Sequence, residues 1–164
     1  MVASIFDGLT RERSRTSSQE SIGRAAAGAF SFILFHELGH ALVHSLNLPV
    51  LGREEDAADQ ISAFFFLNGK TQDAVFALDG AMWLFREKTF IYTRQHFVDE
   101  HSLTPVRRIN LACWAYGKDP ELYRWVVNSK QLPAARAARC ANEYSQLDNA
   151  VHTLLGDRVT LPAK

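Results

Sequence analysis

The chain has 164 residues, 47% hydrophobic and 22% charged, a balance that suits one globular domain with a buried core and excludes a disordered chain. The formal net charge is zero. With no basic excess to displace phosphate counterions, nucleic acid is not an expected partner.

The first twenty residues are polar and rich in Ser and Arg after a short apolar start, with Arg11, Arg13 and Arg15 read as solvated. They are expected to form a flexible N-terminal arm (1–20) ahead of a single helical domain (21–164). A first helix is predicted over 21–46, stopped by Asn47 and Pro49, and its middle is apolar on nearly every side, which marks a buried central helix. Its apolar run over 25–35 is too short to cross a bilayer and leads straight into His36 and Glu37. Asp7, Glu12 and Glu20 precede that run and no cleavage site follows it, so neither a membrane span nor a signal peptide is expected.

A second helix should open near Arg53, with Glu54, Glu55 and Asp56 at the positive end of its dipole, and close at Asn68-Gly69. The third is predicted over 72–94 with Thr71 as N-cap. Thr104-Pro105 opens a fourth that Gly117 closes, Asp119-Pro120 a fifth, and Pro133 a last one reaching Leu155 before Gly156. Only 158–161 reads as a weak strand. The fold class is therefore all-α: a compact bundle of about six helices around a central one, with little or no β-sheet. Cys113 and Cys140 fall on different predicted helices, where a bridge and two buried thiols are equally open readings; a bridge would allow a secreted or periplasmic location.

The chemistry concentrates in His36-Glu37-Leu38-Gly39-His40. Residues four apart project from one helix face, so both imidazoles can meet one ion. Glu37, one place after the first histidine, can then take a proton from a metal-bound water without itself binding the metal. His36 and His40 are therefore expected zinc ligands and Glu37 the general base. Gly39 inside a helix costs roughly 1 kcal/mol against Ala, which calls for the close approach of a neighbouring element.

A catalytic zinc needs a third protein ligand and an open position. The acidic segment after the short loop offers Glu55 and Asp59, four apart on one face. Glu55 is the expected third ligand, with Asp59 and Glu54 as competitors, and Asp59 is expected to hold the free N–H of a ligand histidine. Ala58 keeps that face slim enough for two helices to pack. Glu54 and Asp56 are otherwise read as an ordinary acidic first turn. His101, on a loop before a helix start, is the candidate donor to the developing oxyanion, with Arg108 and Tyr116 as further candidates and Arg108 also able to pair with the acidic cluster. His44 is read as packing, His96 and His152 as ordinary, and Trp83, Trp114, Trp125 and the run Phe64, Phe65, Phe66 as core.

His36 to His40 followed by Glu55-x-x-Ala58-Asp59 resembles the zincin metallopeptidases, and their gluzincin-like branch best. More closely, the HELGH segment, Gly52-Arg53-Glu54-Glu55-Asp56-Ala57-Ala58-Asp59, Asp99-Glu100-His101 and Arg108, Asn110, Cys113 and Tyr116-Gly117 resemble a bacterial metallopeptidase family over roughly residues 30 to 145. The resemblance implies His36, His40 and Glu55 as ligands, Glu37 as general base and Asp59 behind them. The expected function is zinc-dependent hydrolysis of peptide bonds in a peptide or protein substrate. The alternative is a helical interaction or regulatory module that retains a structural or vestigial zinc site. One departure stands out: zincin peptidases pair the substrate backbone with a sheet edge, and this chain carries no sequence for such a sheet before the motif.

Overall fold

The computed structural model describes residues 1–13, 15–69, 74–86 and 91–161, and among them the chain is all-α with no strand. The helices are α1 (Val2–Arg13), α2 (Gln19–Ser45), α3 (Glu54–Asn68), α4 (Ala74–Leu84), α5 (Arg94–Phe97), α6 (Thr104–Lys118), α7 (Trp125–Asn128), α8 (Ala134–Ala137) and α9 (Cys140–Leu155). The long α2 is the hub, packed by α1, α3 and α4, while α6 and α9 pair with each other and close over α3.

Local signals explain the ends of α2. The Ser18 side chain accepts the Ser21 N–H at the start. At the end Asn47 turns left-handed with φ 49°, and the Leu48 N–H returns to the Val43 carbonyl at 3.0 Å. By length and composition alone α2 could cross a membrane; here it forms the middle of a helical layer. Glycines set how close its neighbours come. A Cβ at Gly28 would stand 2.3 Å from the Ala77 backbone, and one at Gly80 1.8 Å from the Ala25 carbonyl oxygen, so α2 and α4 touch backbone to backbone.

The main core lies between α2, α3, α4, α6 and α9 around Phe32, Phe64, Leu78, Met82, Leu111 and Leu155, all buried. A second, smaller core joins Ile5 and Leu9 of α1 to Ile22, Ala25, Ala29 and Trp83. This corrects the expected flexible arm: residues 2–13 are a docked helix. Glu12 accepts from Trp83 Nε1 at 2.7 Å and from Arg86 Nε at 2.9 Å, and Arg13 pairs with Asp79. Glu12 and Arg13 are spent on these partners while Arg11 and Arg15 stay exposed, and the apolar pair Ile5 and Leu9, four apart, supplies the buried face.

Three predicted helices also come out differently. The third ends at Leu84, and a separate turn, α5, begins at Thr93, whose side chain and the His96 ring form reciprocal cap bonds; the expected Thr71 cap and the start at 72 lie outside the described residues. The stretch after Asp119 winds through turns before the short α7, and the last predicted helix divides into α8 and α9. The weak strand at 158–161 does not form; Arg158 instead donates to the Leu46 carbonyl at 2.6 Å. Cys113 and Cys140 are bridged, tying α6 to the start of α9. Trp83 and Trp114 are core residues as expected, with Trp125 half-buried beside them.

Candidate metal centre

The site is built where α2 crosses the first turns of α3. A Cβ at Gly39 would meet the Ala58 Cα at 2.9 Å and its carbonyl oxygen at 3.1 Å, so the crossing depends on glycine at one position and a small residue at the other. That contact lies between Glu55 and Asp59 on α3 and between His36 and His40 on α2, which presses the two pairs together.

His36 is buried. Its Nδ1 lies 2.9 Å from Asp59 Oδ1 and its Nε2 lies 3.1 Å from Glu55 Oε2. The His40 Nδ1 lies 2.8 Å from Glu54 Oε1, and its Nε2 lies 3.2 Å from His36 Nε2 and 3.5 Å from Glu55 Oε1. His101, arriving on the loop between α5 and α6, places Nε2 2.9 Å from Glu55 Oε2 and Nδ1 3.1 Å from Asp99 Oδ1. Three imidazoles thus show one pattern: Nδ1 on a carboxylate, Nε2 aimed at Glu55.

That pattern has a chemical consequence. With Nδ1 donating to the carboxylate behind it, a neutral imidazole presents an Nε2 lone pair, and that is the form in which these rings can hold a cation. Lone pairs and a carboxylate converging on one point repel unless a cation stands among them. Ligands of a tetrahedral zinc lie about 3.3 Å from one another; His36 Nε2 lies 3.1 Å from one Glu55 oxygen and 3.2 Å from His40 Nε2, and His40 Nε2 lies 3.5 Å from the other Glu55 oxygen, all near that spacing. His36, Glu55 and His101 likewise offer ligand atoms within 4.8 Å of one another. The residues present fit a metal ion.

Behind the histidines stands a further layer. Arg107 of α6 grips Asp59 with two bonds of 2.7 Å and stacks its guanidinium 4.5 Å from the centre of the Phe85 ring. Burial would push the Asp59 carboxyl up, but the bonds from His36 and Arg107 outweigh it and hold its pKa below the ordinary value. The bond to Glu54 raises the pKa of His40 against a smaller opposing effect of burial. Asp99 is lowered by bonds from the backbone and ring of His101. Arg53, just before α3, donates to the carbonyls of Asp99 and His101 at 3.3 and 2.9 Å, tying the loop to the helix that carries Glu55.

Of the residues expected from sequence, His36, His40, Glu55, Asp59 and His101 meet here. Glu37 is exposed and faces a cleft of about 220 Å³ whose walls include His36, His101, Arg107, Leu84 and Phe85. A second cleft of about 450 Å³ opens on the other side, along His40, Arg53, Glu54, Glu55 and Glu100. Two expectations need correction. Glu54 is not merely part of an acidic turn, since it holds His40. Arg108 does not reach the acidic cluster: it donates to the Met82 carbonyl and to Gln131, and its neighbour Arg107 makes the pair instead. Adjacent residues on a helix point about 100° apart, so the facing residue is decided by the rotation of α6. Tyr116 packs against the main core, away from the cleft linings. His44 is exposed, His96 caps α5, and His152 rests edge-on against Phe64.

Residues 3–155 match the model of a family described as "Putative metallopeptidase", and the chain belongs to that family. The same comparison made with curated proteins and with solved structures finds no match.

Proposed function

We propose that this member of the family is a zinc-dependent hydrolase of peptide bonds whose metal is held by His36, His40 and Glu55. One observation carries the reading: two imidazole Nε2 atoms, each ring held from behind by a carboxylate, converge with Glu55 near ligand spacing while Glu37 stands beside them on a cleft. Zinc held there would supply a Lewis acid for the scissile carbonyl and would lower the pKa of the attacking water. Glu37 takes the proton from that water and passes it to the leaving amine. Asp59, clamped by Arg107, and Glu54 hold the tautomers of His36 and His40 and keep both Nε2 atoms turned inward. His101, in the form that carries a proton on Nε2, is the side chain on the cleft best placed to donate to the oxyanion once a carbonyl occupies the site.

The substrate is a peptide or protein segment lying across the two clefts. No strand exists among the described residues to pair with its backbone, so side chains along the clefts hold it in place of a sheet edge. The Cys113–Cys140 bridge suits an oxidising compartment, secreted or periplasmic. The second reading, a module with a structural or vestigial zinc site, draws on His101, whose approach to Glu55 leaves little of the site open.

Elemental analysis of purified protein tests the metal: about one zinc per chain is expected, lost on His36→Ala. Glu37→Gln should retain the zinc and abolish peptide cleavage. Cleavage that persists in that variant would overturn the mechanism, and a wild-type chain that binds zinc but cleaves nothing favours the structural site.

A further inference from the structure

We infer that His101 is a fourth, detachable metal ligand and that Arg53 is the latch holding it in place, so that the resting site is closed by four protein groups and opens when the loop over 99–101 swings away. The inference rests on the three-ligand reading above and adds to it. His101 is arranged as the two motif histidines are: its Nδ1 is on a carboxylate, Asp99, and its Nε2 stands 2.9 Å from the Glu55 oxygen that His36 approaches to 3.1 Å.

The attachment of His101 differs from that of the others. His36 and His40 project from the C-terminal half of a 27-residue helix, whose packed backbone holds them in place. His101 sits on a loop whose residues 98–100 are exposed, and its side chain is 43% exposed. Arg53 tethers this loop to α3 through the carbonyls of Asp99 and His101. Arg53 is itself exposed and lines the cleft that a peptide would enter. A substrate carbonyl competing for the Arg53 guanidinium would release the loop, freeing the coordination position that catalysis needs and leaving His101 on the cleft wall. The step is an exchange of ligands and hydrogen bonds with no covalent change.

Cobalt(II), loaded into the zinc-free full-length protein, reads the coordination directly, and azide serves as a small competing ligand. His101→Ala should bind cobalt about tenfold or more weakly, the scale seen when a group supporting a metal site is lost. Azide should change the visible spectrum of His101→Ala and Arg53→Ala at concentrations that leave the wild type unchanged. Because both side chains lie at the surface, neither change removes core, and Arg53→Ala reaches His101 without altering the ring. Equal cobalt affinity with and without the His101 ring, together with an equal azide response, would overturn the latch while leaving the three-ligand site standing. A wild-type chain that takes up no cobalt, or a His36→Ala variant that takes it up unchanged, would overturn the site itself and the latch with it.

Discussion

Replacing Gly39 by Ala separates the two demands on this position. In a helix interior the change is favourable by about 1 kcal/mol, because Ala loses less backbone freedom on folding. Here the added carbon would lie 2.9 Å from the Ala58 Cα, 3.1 Å from its carbonyl oxygen and 3.3 Å from its Cβ. Carbon atoms rest at about 3.5–4.0 Å, so α3 must retreat by several tenths of an ångström or more. Overpacking of this kind costs about 1–3 kcal/mol, which leaves a net loss in stability of about 0–2 kcal/mol. The metal site should suffer more. Ala58 directly precedes Asp59 and lies less than one turn after Glu55, so the retreat carries Glu55, the proposed ligand, and the His36 partner out of register together. Metal affinity is expected to fall about 10- to 100-fold. Urea denaturation measures the first quantity and chelator competition the second. A Gly39→Ala chain that is about 1 kcal/mol more stable and binds metal as tightly as the wild type would refute the reasoning.

Arg107→Ala strips the buried Asp59 carboxylate of its guanidinium; a loss of about 3–5 kcal/mol is expected by denaturant titration, together with weaker metal binding through a loosened His36. Reducing the Cys113–Cys140 bridge releases a loop with a sequence separation of 27 residues, and a drop of about 3 kcal/mol in unfolding free energy should follow, read by melts with and without reductant. Burial, helped by Asp119 and Tyr144, pushes the Tyr123 phenol up from 10.0 to about 12. A raised folded-state pKa on an acid means that its share of stability is complete below pH 10 and is lost as the pH climbs towards about 12. An ultraviolet titration of the phenols paired with urea midpoints across that window checks both the value and the sign.

Several misreadings of the sequence share a cause. α1 looked like an arm because its acceptors and donors, Glu12 and Arg13, are polar, and polarity reports solvation only when no partner is known. Their partners, Trp83, Arg86 and Asp79, lie some seventy residues away on or next to α4. The single predicted third helix failed at Phe85 for a related reason: that side chain turns into the core beside Phe32, with ring centres 5.4 Å apart, and serves as a platform for Arg107.

The amino-acid order by itself determined what helical geometry makes local. Two histidines four apart share a face, Glu55 and Asp59 share another, and Gly39 and Ala58 mark each helix as one that a neighbour can approach closely. Those relations hold wherever the helices go, because rise and rotation per residue are constant. Tertiary structure alone decided which residue of each neighbouring pair faces the site, Arg107 and not Arg108, and that Glu54 reaches His40. It also brought His101 to Glu55 across a loop. Such choices depend on how each helix is rotated about its axis and where its loop returns, and these are set by the packing of the whole core.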